Sequence, residues 1–260
     1  MKKLMFIASA LLCGAALATL DPASTSLTSG VVGYANDVID QYGQNSSLIA
    51  PQFIGTDVGG TNDLQSIKCP ESAYGQIFLM ILNGDGSAKK QYNWVRKRIS
   101  GVWNYGWVDN DDGIFPAEGV KFAPGDAFWV QNDGEEGVNT FNTSGAVNEQ
   151  DVDFLLATDQ DSVVCGNSTP VSVDLQDLLC PESAYGKIFL MILNGDGSAK
   201  KQYNWVRKRI SGVWNYGWVD NDDGIFPAEG VTFKPGQGFW VQNDGTEADA
   251  FTLTIPGVEL

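Results

Sequence analysis

The chain is predicted to be all-β, two tandem sandwich- or barrel-like domains produced by an internal duplication, and three observations say so. Residues 69–134 reappear as residues 180–245 with five substitutions over 66 aligned positions: Gln76/Lys187, Lys121/Thr232, Ala123/Lys234, Asp126/Gln237 and Ala127/Gly238. Inside each copy, short apolar or alternating runs are separated by Gly-, Asn- and Asp-rich turns, the pattern of short paired strands. A weaker echo surrounds the strong repeat: Thr28-Ser29-Gly30-Val31-Val32 resembles Thr143-Ser144-Gly145-Ala146-Val147. The unit is therefore larger than the near-identical middle.

Taken in order, residues 1–18 read as a signal peptide. Lys2 and Lys3 precede an apolar stretch, residues 4–17, and Ala16-Leu17-Ala18 forms a small-x-small cleavage site. The run is shorter than the roughly 20 residues of a spanning helix, so no membrane span is expected. Leu12 stands where a small residue should precede a lipidated Cys13. The exported chain then begins at Thr19, with a first β domain over 19–147 and a second over 148–260.

Within the first repeat, Asp63 is the expected N-cap of a short helix over 63–67, as is Asp174 for 174–179. Residues 77–82, Ile-Phe-Leu-Met-Ile-Leu, are a continuous apolar run, expected as a central strand covered on both faces. Asn83-Gly84-Asp85-Gly86 is a hairpin signal, and residues 90–99 form the return strand. Ser100-Gly101 turns the chain into a third strand, 102–108. A loop at 109–113, a Pro124-Gly125 turn, a strand over 127–131 and a closing strand over 140–147 complete the domain.

The whole chain has 16 Lys+Arg against 32 Asp+Glu and no His. Losing Lys2 and Lys3 leaves 14 bases and a formal charge of −18. Such a surface repels nucleic acid and anionic lipid and suits solubility outside the cell. All fourteen bases lie between Lys68 and Lys121 or between Lys187 and Lys234, while residues 122–186 hold twelve acids and no base. Acidic and basic segments of this kind pair within or between molecules, or are ordinary solvated faces.

Three cysteines remain after residue 18. Export permits disulfides, and Cys165–Cys180 is the preferred pair because its loop is short and lies within one domain. By the repeat offset Cys165 aligns with Ile54. The competing reading is three buried thiols behaving as small apolar side chains.

All eight tryptophans lie in the repeats. Trp103, Tyr105 and Trp107, with copies Trp214, Tyr216 and Trp218, sit at i, i+2 and i+4 and share one face of a strand. A row of rings on one face is a stacking platform for sugars; equally, it fills the core of a small β domain. The poor opposite face, Val102, Asn104, Gly106 and Val108, favours core. The acidic turn Asp109-Asn110-Asp111-Asp112-Gly113, repeated with Asp220, Asp222 and Asp223, is the calcium candidate, although it lacks the EF-hand spacing. The run 89–98 interleaves Lys and Arg with Tyr92 and Trp94, a pattern suited to acidic glycans more than to nucleic acid on so acidic a chain. With no His, triads and zinc sites lose their central residue. Only a carboxylate pair, Glu118 with Asp109, Asp111 or Asp112, leaves a glycoside hydrolase as a remote alternative.

Ser29-Gly30-Val31-Val32-Gly33-Tyr34, the aromatic middle ending at Trp107-Val108-Asp109, and Pro124-Gly125-x-x-Phe128-Trp129 (Pro235-Gly236-Gln237-Gly238-Phe239-Trp240 in copy two) resemble a group of small exported bacterial proteins. Those open on an SxVVGY segment and close on PGxGFW and a short strand. The resemblance implies secretion and β structure and nothing catalytic. Copy one departs from it at Asp126 and Ala127, and the second half lacks the VVGY start. The functional expectation is a non-catalytic secreted or surface protein with a duplicated binding surface, for a glycan or other cell-envelope component. The alternative is a self-associating structural envelope component.

Overall fold

A computed structural model describes residues 28–39, 45–55, 61–83, 87–134, 139–157, 162–194, 198–245 and 249–258. The signal-peptide reading of residues 1–18, and the Gly-Asp-Gly turns at 84–86 and 195–197, lie outside the described residues. The fold is all-β. The first half holds β1 (Thr28–Ile39), β2 (Asn45–Ile49), β3 (Asn62–Asp63), β4 (Ile77–Leu82), β5 (Ala88–Ile99), β6 (Val102–Asp109), β7 (Lys121–Phe122), β8 (Phe128–Asn132) and β9 (Asn139–Asn148). The second holds β10 (Val152–Leu156), β11 (Ser162–Gly166), β12 (Val173–Asp174), β13 (Ile188–Leu193), β14 (Ala199–Ile210), β15 (Val213–Asp220), β16 (Thr232–Phe233), β17 (Gly238–Asn243) and β18 (Phe251–Ile255). Among the described residues no helix is long and apolar enough to cross a membrane.

Each half carries an antiparallel five-stranded sheet, ordered β2-β8-β4-β5-β6 and β11-β17-β13-β14-β15. Two-stranded ribbons accompany them: β1-β9 and β3-β7 in the first half, β10-β18 and β12-β16 in the second. The apolar run 77–82 is the central strand, as its composition predicts. Its burial alternates, however: Ile77 and Leu79 are fully buried while Phe78 and Met80 are only partly buried, so one face meets the core more fully than the other. The two SGVV-type segments pair with each other, Val32 opposite Ala146 and Gly33 opposite Gly145. They open and close one unit, instead of opening successive units.

One-turn 3-10 helices at Leu64–Ser66 and Leu175–Asp177 begin at the expected caps. Asp63 Oδ1 accepts from the Gln65 amide at 2.8 Å and Asp174 Oδ1 from the Gln176 amide at 2.9 Å. Each half has its own apolar cluster. The first gathers Leu64, Ile77, Leu79, Trp94, Trp107, Phe128 and Val130; the second adds Phe154, Leu156, Phe251 and Leu253 from the β10-β18 ribbon.

The register corrects the alignment of Cys165. Cys165 lies opposite Phe239 and Ile49 opposite Phe128, the repeat equivalent of Phe239, so Ile49 and not Ile54 is its counterpart. Ile49 stands 20 residues before Cys69 but Cys165 only 15 before Cys180, which accounts for the offset. The expected Cys165–Cys180 disulfide is not formed: Cys69, Cys165 and Cys180 are all buried free thiols. Burial pushes each thiol up from its ordinary value, which keeps it protonated and unreactive.

Where the halves meet, they exchange matching bonds. Ile49 bridges to Gln237, and its counterpart Cys165 bridges to Asp126, the counterpart of Gln237. The Ala50 amide donates to the Gly236 carbonyl at 2.9 Å and the Gly166 amide to that of Gly125 at 2.9 Å. This is the self-complementary pattern of a two-fold interface, written within one chain. The copies differ here at Asp126/Gln237. Asp126 Oδ2 accepts from the Ala123 amide at 2.7 Å, as Gln237 Oε1 does from the Lys234 amide at 3.1 Å. Burial holds the Asp126 carboxyl above its usual range, so the folded state penalises its charged form. The penalty is absent below the unfolded carboxyl pKa of about 3.9 and is complete above the raised folded value. Asp126→Gln should therefore raise the thermal midpoint at pH 7 and leave it unchanged at pH 3. A midpoint shift of equal size at both pH values would refute the charge explanation.

Candidate binding surface at the hairpin tips

Ser100 (φ 49°) and Gly101 (φ 86°) form a two-residue turn with both central residues left-handed, the type I′ geometry that matches strand twist. This sets Ile99 opposite Val102, Arg98 opposite Trp103, Arg96 opposite Tyr105 and Trp94 opposite Trp107. One face of the β5-β6 hairpin thus carries Trp94, Arg96, Arg98, Trp103, Tyr105 and Trp107. The same face recurs on β14-β15 with Trp205, Arg207, Arg209, Trp214, Tyr216 and Trp218.

The aromatic row is divided by depth. Trp107 is fully buried, packed edge-on against Trp94 at 5.4 Å, and its Nε1 donates to the Ile67 carbonyl at 2.8 Å. Gln65 seals the strand edge above it. Its Nε2 donates to the Trp107 and Ala117 carbonyls, both at 2.9 Å, while its Oε1 accepts from the Trp107 amide at 3.1 Å. The close approach needs Gly106, where a Cβ would stand 2.8 Å from Gln65 Oε1. Tyr105 is half-buried, and Trp103, nearest the turn, is 50% exposed. Trp218, Tyr216 and Trp214 repeat the gradient, with Trp214 at 51%. The hairpin runs past the core, so a single strand face passes from interior to solvent. The expectation that the row fills the core holds for Trp107 and Trp218; the expectation of an open face holds for Trp103 and Trp214.

At the open end the Arg96 guanidinium lies between two rings, 4.2 Å from the Tyr74 centroid and 4.4 Å from that of Trp103. Arg207 does the same between Tyr185 at 4.1 Å and Trp214 at 4.4 Å, and its Nη2 donates to the Tyr185 hydroxyl at 3.2 Å. Arg98 Nε donates to the Gly101 carbonyl at 3.2 Å, with its guanidinium 5.9 Å from Trp103. Tyr74 and Tyr185 come from the 3-10 turns Glu71–Ala73 and Glu182–Ala184 and complete each cluster.

The acidic turn is organised around a side-chain cation. Lys90 Nζ lies 3.0 Å from Asp109 and 2.8 Å from Asp111; Lys201 stands at 2.9 and 2.8 Å from Asp220 and Asp222. The second Asp109 oxygen accepts from the Asp111 amide at 2.9 Å, and Asp112 Oδ1 from the Ile114 amide at 2.8 Å. Asp223 bonds the Ile225 amide at 2.9 Å in the same way. The backbone donor, followed by the lysine in Asp109's case after a desolvation cost, holds Asp109 and Asp220 below the ordinary carboxylate range. Hydrogen bonds to Asp111 and Asp109 raise Lys90. Each of the six carboxylates considered for calcium thus accepts from an ammonium or amide donor through at least one oxygen, Asp109 and Asp220 through both, and among the described residues no His, Cys, Asp and Glu group has metal-site geometry. Glu118 is exposed.

No protein-family model matches the chain, and neither curated proteins nor solved structures yield a match.

Proposed function

We propose that this is a non-catalytic, exported binding protein that presents two equivalent carbohydrate-stacking surfaces. The observation that carries the reading is the pair of half-exposed indoles, Trp103 and Trp214, each held by an arginine 4.4 Å from its ring centroid with half of its surface left to solvent. A ring so placed offers a flat apolar face to a sugar at little ordering cost. Two copies on one chain convert a weak single contact into avidity for a polymer, the second event being intramolecular. Titrating the full chain with soluble polysaccharides while following tryptophan emission tests it. At least one glycan should shift the emission and protect it from acrylamide, and Trp103→Ala/Trp214→Ala should abolish both effects. Protection that survives the double variant would refute this surface.

Self-association into an envelope structure is favoured by a separate feature: β6 and β15 are outermost strands of their sheets, sealed at Trp107 and Trp218 by Gln65 and Gln176, and the turn-proximal part of such an edge is a template for pairing. Light scattering of the unliganded chain over a concentration series distinguishes it, since assembly through edges needs no glycan.

A further inference from the structure

Resting on that carbohydrate reading, we propose that the tips select acidic glycans, with a uronate carboxylate taken on the guanidinium edges of Arg96 and Arg98 while the sugar ring lies on Trp103. Arg207, Arg209 and Trp214 form the second site. The starting point is how cations are distributed over their partners. Acids outnumber bases two to one, 32 against 16, and Lys90, Lys187 and Lys201 each hold an aspartate within 3.0 Å. Arg96, Lys97 and Arg98 are exposed, yet among the described residues none of them pairs with a carboxylate, and the same is true of Arg207, Lys208 and Arg209.

Geometry narrows the ligand. The Arg96 guanidinium contacts Tyr74 and Trp103, and what it offers a ligand is N–H groups not spent on those rings; in the second copy Arg207 gives one Nη2 donor to the Tyr185 hydroxyl and keeps the others. Such N–H groups match the two oxygens of a carboxylate in a bidentate pair, whereas a lysine is a point charge without direction. Ring stacking beforehand removes rotamer freedom that would otherwise be lost on binding. Beside it, Arg98 is tied to the Gly101 carbonyl through Nε, which leaves its terminal nitrogens for a second oxygen. Lys97 points to the opposite face, 5.7 Å from Phe115, and adds only to the local field. A carboxylate next to a sugar ring is the chemistry of uronic acids: the ring meets the indole and the acid meets the fork. The excess negative charge elsewhere on the chain repels polyanions at a distance, so binding is confined to the two tips.

The test uses the full chain with polygalacturonate, its fully methyl-esterified form, heparin and a neutral galactan, each titrated calorimetrically. Polygalacturonate should bind about ten-fold or more tightly than the ester, the loss expected when a charge-assisted bidentate pair is removed. Arg96→Gln/Arg207→Gln should bring acid and ester to equal affinity, the ester losing no more than a few-fold from the weakened hold on Trp103 and Trp214. Arg96→Lys/Arg207→Lys should fall between the two. Equal affinity for acid and ester would overturn acidic selectivity and leave the carbohydrate reading standing. Heparin binding as tightly as polygalacturonate would overturn the carboxylate assignment, and failure of all four to bind would sink both readings.

Discussion

Trp107→Ala lowers the unfolding free energy of its half by about 3–5 kcal/mol, whereas Trp103→Ala, four residues away on the same strand face, lowers it by less than about 1 kcal/mol. The contrast follows from depth alone. Trp107 is fully buried, rests edge-on against Trp94 and satisfies the Ile67 carbonyl. Truncation opens a cavity the size of an indole and leaves a buried acceptor without its donor. Trp107→Phe fills most of the cavity and still loses the hydrogen bond, for about 1–3 kcal/mol. Trp103 is half in water and loses a cation–π contact with Arg96. Because the halves have separate apolar clusters, urea unfolding of Trp107→Ala followed by circular dichroism should show one early transition and one near the wild-type midpoint. Trp218→Ala should weaken the other half in the same way. Equal costs at 103 and 107 would contradict the division of the row.

How much of this was legible in the sequence depends on whether the cause was local. The Asp63 and Asp174 caps, the Ser100-Gly101 turn, the central position of residues 77–82 and the closing strand near 140–147 all rest on short-range chemistry, and the structure has each of them. The face shared by Trp103, Tyr105 and Trp107 was legible too, since strand alternation dictates it. Where that face leaves the core was not, because the answer depends on what packs against it from elsewhere in the chain, such as the Ile67 carbonyl that takes the Trp107 indole N–H from 40 residues away. The arginines could be placed once the two-residue turn set the register. Tyr74 could not, since it reaches Arg96 from a separate 3-10 turn. Nothing in the spacing of the acidic turn shows that Lys90, on the neighbouring strand, lies against it. The Cys165 alignment failed for a simpler reason: the constant offset of the repeat does not extend past the five extra residues in the first half.

The junction between the halves supplies a second large effect, and its cause is that matching backbone bonds join segments whose side chains differ. Ala50 and Gly166 are counterparts, each following the bridge residue of its edge strand, and they face each other. A Cβ built on Gly166 stands 2.9 Å from that of Ala50, 2.7 Å from the Gln237 carbonyl oxygen and 2.8 Å from the Gly238 Cα. Gly166→Ala should therefore cost about 1–3 kcal/mol, read as a lower urea midpoint. Ala50→Gly in the same chain should recover little of it, since the two backbone contacts remain. The next pair tells the same story with sizes reversed. At Gly238 a Cβ would meet Leu48 Cβ at 2.7 Å and the Leu48 carbonyl carbon at 2.9 Å, while copy one carries Ala127 there and the counterpart of Leu48 is the smaller Val164. Gly238→Ala installs the residue that copy one already has, and it should still destabilise by about 1–3 kcal/mol. A neutral outcome would mean that the edge strands slide freely past one another. A clear loss would mean that each substitution tolerated between the copies is tolerated only on its own side of the junction, so the relative placement of the two tips is a built property of this chain.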